Sequence, residues 1–500
     1  MIHNLLARIR LQIPAFPLFV AFGIGMLAWL LTLHVQLDPD YWWHVLIGEW
    51  IVANRAVPST DLLSWMADAP SWLAHEWLGE VMLYISHQIA GTTGSVVIFG
   101  AVTGAALLLT ASLIRLVAPS LRAPAVWSLV LIGVLVALPI WSPRSQMWDV
   151  LFALLTLRMA LGYLLAGQRR LLWLMPLAMV VWVNVHAGGV LLYGLLLLAV
   201  MVGEVLNRRY GWRAQPQPWR PLLWSLLATV AAMALNPYGL AVYVWPFQTV
   251  FSPVVQGLIV EWLSPDFQSP WLRPAQLFIA AGLVGLVGLA RPRDFIPLCV
   301  AAGMTLMALQ SVRYIGLFGP ITVAVLSLQL SDGASRLMRG LTGKRLQWAP
   351  WLKRQQLLLS TIIVVAVMTV AVAKIFTLSP TVATDVLAQH QPVAAATFLR
   401  ENPQSGRMFN AYGWGGFLAY ELRTPVGLYG ASEAFSSETL ADFKALIESR
   451  QDPRSYLDQL EIDYVIYDAE RNLDYWLREA PEWQQIYRDQ IAVIYRRVAP

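Results

Sequence analysis

Cysteine is almost missing from this chain, and charge is scarce. The single cysteine, Cys299, falls inside an apolar run, which leaves no intrachain disulfide framework and no zinc ribbon. Lys, Arg, Asp and Glu together make up 13% of 500 residues, against about 25% in an ordinary soluble domain. That deficit excludes a soluble protein of this size. Internal repeats and low-complexity tracts are also lacking, which argues against a solenoid and against a transporter built from inverted repeats.

Apolar residues fill the gap. The chain is 57% hydrophobic, with a mean hydropathy of +0.56. Runs of roughly the 20 residues that a helix needs to cross a bilayer lie near 15–35, 93–114, 124–141, 147–166, 171–184, 189–206, 220–236, 274–290, 295–311, 314–331 and 357–378. The stretch 171–206 holds two short spans, broken at Asn184-Val185-His186-Ala187-Gly188-Gly189. Many of the 23 tryptophans fall near predicted helix ends, as an interfacial aromatic belt requires. The expected fold class is an α-helical polytopic membrane protein of about eleven transmembrane helices, 1–379, followed by a small extracytoplasmic α/β domain, 380–500. The tail before the first run carries Arg8 and Arg10, and no small-residue cleavage site follows the run, so a retained first helix is expected.

The net charge of +5 is no nucleic-acid signal, because it divides by region. From residue 380 onward, 17 acidic side chains face 11 basic ones, whereas the earlier part has 13 acidic and 24 basic. With a cytoplasmic N-terminus, alternate loops collect Arg115 and Arg122, Arg169 and Arg170, Arg208, Arg209, Arg213 and Arg220, Arg291 and Arg293, and Arg336, Arg339, Lys344, Arg345, Lys353 and Arg354. Together with the tail these are 18 of the 24 basic residues, the distribution that the positive-inside rule describes. The reading is a multi-pass protein of a bacterial plasma (inner) membrane. It places loops 36–92 and 237–273, Asn184, His186 and the C-terminal domain on the outer face.

Polar residues concentrate there. Leu37-Asp38-Pro39-Asp40-Tyr41-Trp42-Trp43-His44 leaves the first apolar run directly. Pro39 forces Asp38 to be extended and favours a helix starting near Pro39 or Asp40 and running to about Ala53. Asp40 and His44 then share a face, while Trp42, Trp43, Leu46 and Trp50 are available to headgroups. N-capping by Asp38, with Asp40 favoured by the helix dipole, is the structural alternative. A second cluster, Trp72-Leu73-Ala74-His75-Glu76-Trp77-Leu78-Gly79-Glu80, sets His75 beside Glu76, and Glu80 reads as part of a solvated face. With Glu49, Asp61 and Asp68, one loop gathers the carboxylates suited to general base catalysis, a divalent metal, or both. Asp40, His44 and Glu76 are the candidate metal ligands. Arg144, His186 and Arg313 stand at the outer ends of three other spans, where they anchor headgroups or grip a phosphate. Asn236-Pro237-Tyr238-Gly239 reads as a helix stop and turn, and Glu261-Trp262 as a surface cap or cavity wall. Arg158 is mid-span, with Glu204 as its candidate partner.

These motifs resemble the GT-C superfamily of polytopic glycosyltransferases. Asp38-Pro39-Asp40-Tyr41-Trp42 matches that superfamily's acidic element, Val57-Pro58-Ser59 its proline, and His75-Glu76-Trp77-Leu78 its closing turn. The resemblance is nearer to a bacterial branch with Asp-x-Trp-Trp-His at Asp40–His44, His-Glu-Trp-Leu at His75–Leu78, an Asn-x-His break at Asn184–Gly188, Asn236–Gly239 and Glu261-Trp262. It departs from other members in having Asp-Pro-Asp for Asp-Glu and His-Glu-Trp for a Pro-Pro element. The resemblance implies transfer of a sugar from a polyprenyl-phosphate donor to a lipid, glycan or protein acceptor on the outer face. Asp38 would be the base, Asp40 would assist it, and His44, His75, Glu76, Arg144, His186 and Arg313 would bind substrate. The alternatives are a glycan polymerase or ligase using a lipid diphosphate-linked oligosaccharide, a transporter or flippase, and a non-catalytic assembly factor.

Overall fold

A computed structural model of the chain describes residues 15–69, 72–212, 216–288, 294–342 and 356–498. A helix stands in each of the eleven apolar runs. They are Ala15–Leu31, the later part of Trp77–Val117, Ala123–Ala137, Met147–Ala166, Leu174–Val185, Gly189–Arg209, Trp219–Ala232, Arg273–Gly288, Phe295–Gln310, Ile315–Val325 with its bent continuation, and Gln356–Thr377. Fewer cross a membrane by length and composition than expected. Among the described residues four helices qualify, and a fifth if Val312–Val325 and Ser327–Arg336, bent by 69°, form one broken span. Two of the others are cut short by turns. Leu174–Val185 stops at His186, and Trp219–Ala232 stops before Asn236. The basic residues Arg8, Arg10, Arg213, Arg291, Arg293, Lys344, Arg345, Lys353 and Arg354 lie outside the described residues.

Trp77–Val117 is two helices joined at a kink. Ala90 and Gly91 leave helical geometry there, and Gly91 has φ +57° with ψ −147°, a conformation restricted to glycine. Trp77–Ile89 therefore lies across the end of the bundle, packed along the short helix Tyr41–Asn54. Inside the bundle Arg158 bonds to Ser112 Oγ at 2.9 Å and Gln168 Oε1 at 3.0 Å, while Glu204 pairs with Arg208 at 3.0 Å. The expected Arg158–Glu204 pair does not form, because Glu204 meets an arginine one turn along its own helix.

All four strands of the molecule's sheet come after residue 406. They are β1 Arg407–Asn410, β2 Ile462–Asp468, β3 Trp483–Arg488 and β4 Ala492–Arg497, in the order β1-β2-β4-β3. β1 runs parallel to β2 and the other pairs are antiparallel. Strand β2 is central and apolar on both faces, as its Tyr-Val-Ile-Tyr core suggests. The β3–β4 turn is set by Asp489, whose Oδ1 accepts from the N–H groups of Ile491 and Ala492, both at 2.7 Å. Helices Val393–Glu401, Ser437–Ile447, Pro453–Gln459 and Asn472–Glu479 accompany the sheet. β3 is an edge strand, buried at Trp483 and exposed at Gln484 and Gln485.

The sheet domain docks on loop 36–92. Val426 exchanges backbone bonds with that loop, its N–H donating to Leu63 O at 2.9 Å and its O accepting from Trp65 N–H at 3.0 Å. Asp68 accepts from Ser436 N–H at 2.6 Å and from the hydroxyls of Ser436 and Thr439, Asp61 accepts from the Tyr429 hydroxyl, and Glu49 pairs with Arg423. These three carboxylates, grouped with the chemistry by sequence, hold the domain instead. Trp42, 6% exposed, packs edge-on against Phe417 at 5.3 Å and beside Tyr420 at 4.9 Å, and Trp43 meets Tyr429 at 5.6 Å. The tryptophan face of Tyr41–Asn54 is therefore buried under protein and does not face headgroups. Trp42→Ala removes a buried indole at a cost of about 3–5 kcal/mol. The expected result is faster proteolytic release of the C-terminal domain in detergent, with the membrane helices intact on a gel.

Candidate functional site

Loop 36–92, the breaks between helices and the sheet domain enclose one cavity of about 1280 Å³. Asp38, Asp40, His44, His75, Glu76, Arg144, His186 and Arg313, brought from five separate stretches of chain, all line it. One flank is apolar and includes Leu191, Leu195, Phe247, Val250 and Phe251. Leu195, Phe247 and Phe251 are also exposed at the molecular surface, so this flank opens sideways where lipid would lie. The other end is polar.

Glu76 is the hub of the polar end. It precedes helix Trp77–Val117 and is 8% exposed. His186 Nε2 lies 3.2 Å from its Oε1, His75 Nε2 lies 3.4 Å from the same oxygen, and His44 Nε2 lies 3.5 Å from its Oε2. Each ring is held on its other side. His186 Nδ1 contacts Asp149 Oδ1 at 2.9 Å, His44 Nδ1 contacts Glu80 Oε1 at 3.1 Å, and His75 Nδ1 faces Leu73 O at 3.4 Å. Asp149 also accepts from Trp182 Nε1 at 2.7 Å. Burial opposes charge on Glu76, but His44 and then His186 and His75 outweigh it and hold the carboxyl well below the usual range. Burial likewise opposes charge on the two imidazoles. Glu76, Glu80 and Asp40 nevertheless raise His44 to about 9, and Asp149 and Glu76 raise His186 to about 9.

The Asp38–Asp40 turn forms the opposite wall. Asp38 Oδ1 accepts from the Asp40 N–H at 3.0 Å, and its Oδ2 meets Arg144 Nη1 at 3.1 Å and Ser142 Oγ at 3.4 Å. Asp40 is the N-cap of Tyr41–Asn54, two residues after Asp38, the expected cap, and makes no side-chain capping bond. Its Oδ1 accepts from Trp43 Nε1 at 3.1 Å. Burial first, then the neighbouring Asp38 charge, raise Asp40 to about 6 against the pull of His44, the Trp43 bond and Arg144. The sheet domain reaches this carboxylate too. A Cβ on Gly430 would sit 1.7 Å from Asp40 Oδ1, so only glycine fits there. Arg144 Nη2 donates to both Glu261 oxygens at 2.6 Å. Arg313 stacks on Trp262 at 5.2 Å. Tyr238 of the Asn-Pro-Tyr-Gly turn ties loop 36–92 to this end, donating to Pro58 O at 3.0 Å and accepting from Ala74 N–H at 2.7 Å.

Sequence reasoning missed Asp149, Trp182 and Glu80. Asp149 occupies the first turn of an apolar helix, where the dipole alone accounts for a carboxylate; its depth beside a membrane span was the usable signal. Glu80, expected on a solvated face, is 1% exposed against His44. The expected metal candidates also regroup. His75, Glu76 and His186 bring ligand atoms within 4.8 Å of one another, whereas Asp40 and His44 stay outside that group. Two imidazole nitrogens and a carboxylate oxygen suit a divalent ion such as zinc, and Asp149 behind His186 is the outer carboxylate that such sites use to orient the ring.

No protein-family model matches the sequence, and a comparison with curated proteins finds no match. Among solved structures the chain is similar to ArnT from Cupriavidus metallidurans bound to undecaprenyl phosphate, with TM-score 0.52 and 14% identity over 96% of this chain and 98% of that one. The apo form of that protein gives 0.50 and 15% identity over 96% and 97%. The oligosaccharyltransferase of Archaeoglobus fulgidus gives 0.53 and 14% identity over 90% of this chain and 69% of that one. The chain shares its fold with these solved structures. For the metal, titration of zinc into detergent-purified protein should give one site per chain. His186→Ala should abolish it, and Asp149→Asn should weaken it by about 10–100-fold; unchanged binding in His186→Ala would remove the site.

Proposed function

We propose that the protein is a membrane glycosyltransferase that takes a sugar from a polyprenyl-phosphate donor. The observation that carries this reading is the two-ended cavity in a GT-C fold: an apolar flank open to lipid, and at its polar end a carboxylate pair facing an arginine from the turn before Met147–Ala166. The prenyl chain lies along Leu191, Leu195, Phe247 and Phe251. The phosphate sits at Arg144, with Arg313 and His186 adding positive charge. A guanidinium matches two phosphate oxygens at once, which fixes the donor's anomeric carbon in place.

Between the two aspartates, we assign the base to Asp40. Asp38 is bound on three sides, by a backbone N–H, a serine hydroxyl and Arg144, and it positions that arginine. Asp40, raised to about 6 by burial and the Asp38 charge, lines the cavity. In the step, the acceptor oxygen attacks the anomeric carbon and its proton passes to Asp40. The bond from that carbon to the phosphate oxygen breaks, the electron pair stays on that oxygen, and Arg144 holds the charge of the leaving lipid phosphate. A divalent ion held by His75, Glu76 and a neutral His186 would supply positive charge in place of the His186 proton. By the charge alternation, the N-terminus lies in the cytoplasm, and the cavity and domain 380–500 lie on the outer face of a bacterial inner membrane. There the acceptor is a lipid, glycan or protein. The domain completes the wall beside Asp40 through Gly430.

Membranes lacking the protein should accumulate its donor, visible by mass spectrometry as a prenyl phosphate carrying sugar; an unchanged lipid-linked sugar pool would sink the reading. A donor carrying an oligosaccharide on a diphosphate would instead identify a polymerase or ligase. Asp40→Asn should lower transfer by at least about 100-fold with expression and folding retained, the range for loss of a positioned base. Because Asp40 is raised to about 6, it is a carboxylate above that pH and is neutralised below it. Activity should therefore fall as pH drops through about 6, and a profile flat to pH 4 would remove Asp40 from the role.

A further inference from the structure

The sheet domain gives five residues to the cavity: Tyr412, Gly413, Gly430, Ser432 and Glu433. None has an aliphatic side chain, so this wall differs from the flank assigned to the prenyl chain. Two single turns build it, Tyr412–Trp414 and Ser432–Ala434. Gly430 O joins them, accepting from the Tyr412 hydroxyl at 3.3 Å and from Ser432 N–H at 2.9 Å. The second turn is also fastened to loop 36–92, where Ala434 O accepts from Ala69 N–H at 3.1 Å.

The wall adjoins Asp40. Gly430 packs against that carboxylate. Burial first, then the charges of Asp40 and Glu433, hold the Tyr412 hydroxyl well above its ordinary range, so it stays protonated beside both. The carboxylates lining the cavity differ in one respect. Asp38 and Glu261 are engaged by Arg144, Asp40 by Trp43, Glu76 by its histidines, and Asp149 by Trp182 and His186. Among the described residues Glu433 has no hydrogen bond and no ion pair. A carboxylate only accepts, so what meets Glu433 must bring donors. There is room for it, since Gly413 is exposed and a Cβ there would meet nothing within 4 Å.

We propose that Tyr412, Ser432 and Glu433 form the acceptor subsite and that the acceptor is a carbohydrate, with neighbouring hydroxyls on the Glu433 carboxylate and the ring beside Tyr412. The inference rests on the transferase reading with Asp40 as the base. A sugar suits this wall because it offers a carboxylate two donors at once and an aromatic ring its C–H face. A lipid acceptor would need a second apolar strip, which the domain does not supply. Held in this way, one hydroxyl of the acceptor lies beside Asp40.

The test is made in cells lacking the protein and complemented with the parent chain, Glu433→Ala or Glu433→Gln. Linkage analysis of the envelope reads the group to which each sugar is joined. Without the protein, one sugar should disappear from a position on another sugar. Glu433→Ala should lower that sugar by at least about tenfold, the scale of hydrogen bonds to a charged group, and should accumulate the donor lipid. The purified Glu433→Ala chain should bind undecaprenyl phosphate as the parent does, which shows that it is folded and that the donor end is intact. Glu433→Gln keeps an accepting oxygen and should retain more transfer than Glu433→Ala. A missing sugar that was joined to an amino-acid side chain, or directly to a lipid, overturns the inference and leaves the transferase reading standing. Parental transfer by Glu433→Ala does the same, and so does equal loss in both variants, which would identify an ammonium ligand. If the deletion removes no sugar and accumulates no donor, the transferase reading falls and the inference falls with it.

Discussion

Three imidazoles close on one buried carboxylate, and the polar end of the molecule is organised around that contact. Glu76 is 8% exposed, in surroundings where an isolated carboxylate would not stay charged. It is stabilised because His44, His75 and His186 arrive from the surface helix, from its own turn and from the break after Leu174–Val185. Those rings are in turn fixed by Glu80, the Leu73 carbonyl and Asp149. Removing any one group leaves a buried charge without its partner, at a cost of several kcal/mol. Such a network specifies a single arrangement of three chain segments, and that arrangement sets the width of the cavity.

The sheet domain depends on the same loop from its other side. Asp61 and Asp68 bind it through hydroxyls and backbone, and Trp42 and Trp43 supply the apolar contact. The loop is thus a layer between bundle and domain, its histidine face turned toward the bundle and its tryptophan face toward the sheet domain. Gly430 against Asp40 shows how closely the two meet. A domain docked this tightly beside a carboxylate shapes what can approach it.

Much of this was legible in the sequence, for a simple physical reason. Polar residues at the ends of apolar runs are expensive, so Asp38, His44, Glu76, Arg144, His186 and Arg313 stood out, and all of them line one cavity. What escaped were residues with a sufficient local explanation. Asp149 sits where a helix dipole alone accounts for a carboxylate, Glu80 read as a solvated face, and Trp42 as available to headgroups. In each case the decisive partner lies far along the chain: His186 for Asp149, His44 for Glu80, Phe417 for Trp42. Helix positions were readable from hydropathy. Their lengths were less so, because a turn such as Asn184–Gly189, whose His186 and Gly188 line the cavity, spends apolar sequence there and not on crossing a bilayer.

The central claim is that a lipid phosphate meets Arg144 at the polar end of this cavity. A cryo-EM structure of the protein with undecaprenyl phosphate tests it most directly. The account predicts phosphate oxygens within about 3 Å of the Arg144 guanidinium, the prenyl chain along Leu191, Leu195 and Phe251, and Asp40 open to the space beyond the phosphate. Lipid bound elsewhere on the bundle, with the cavity's polar end unchanged, would contradict it.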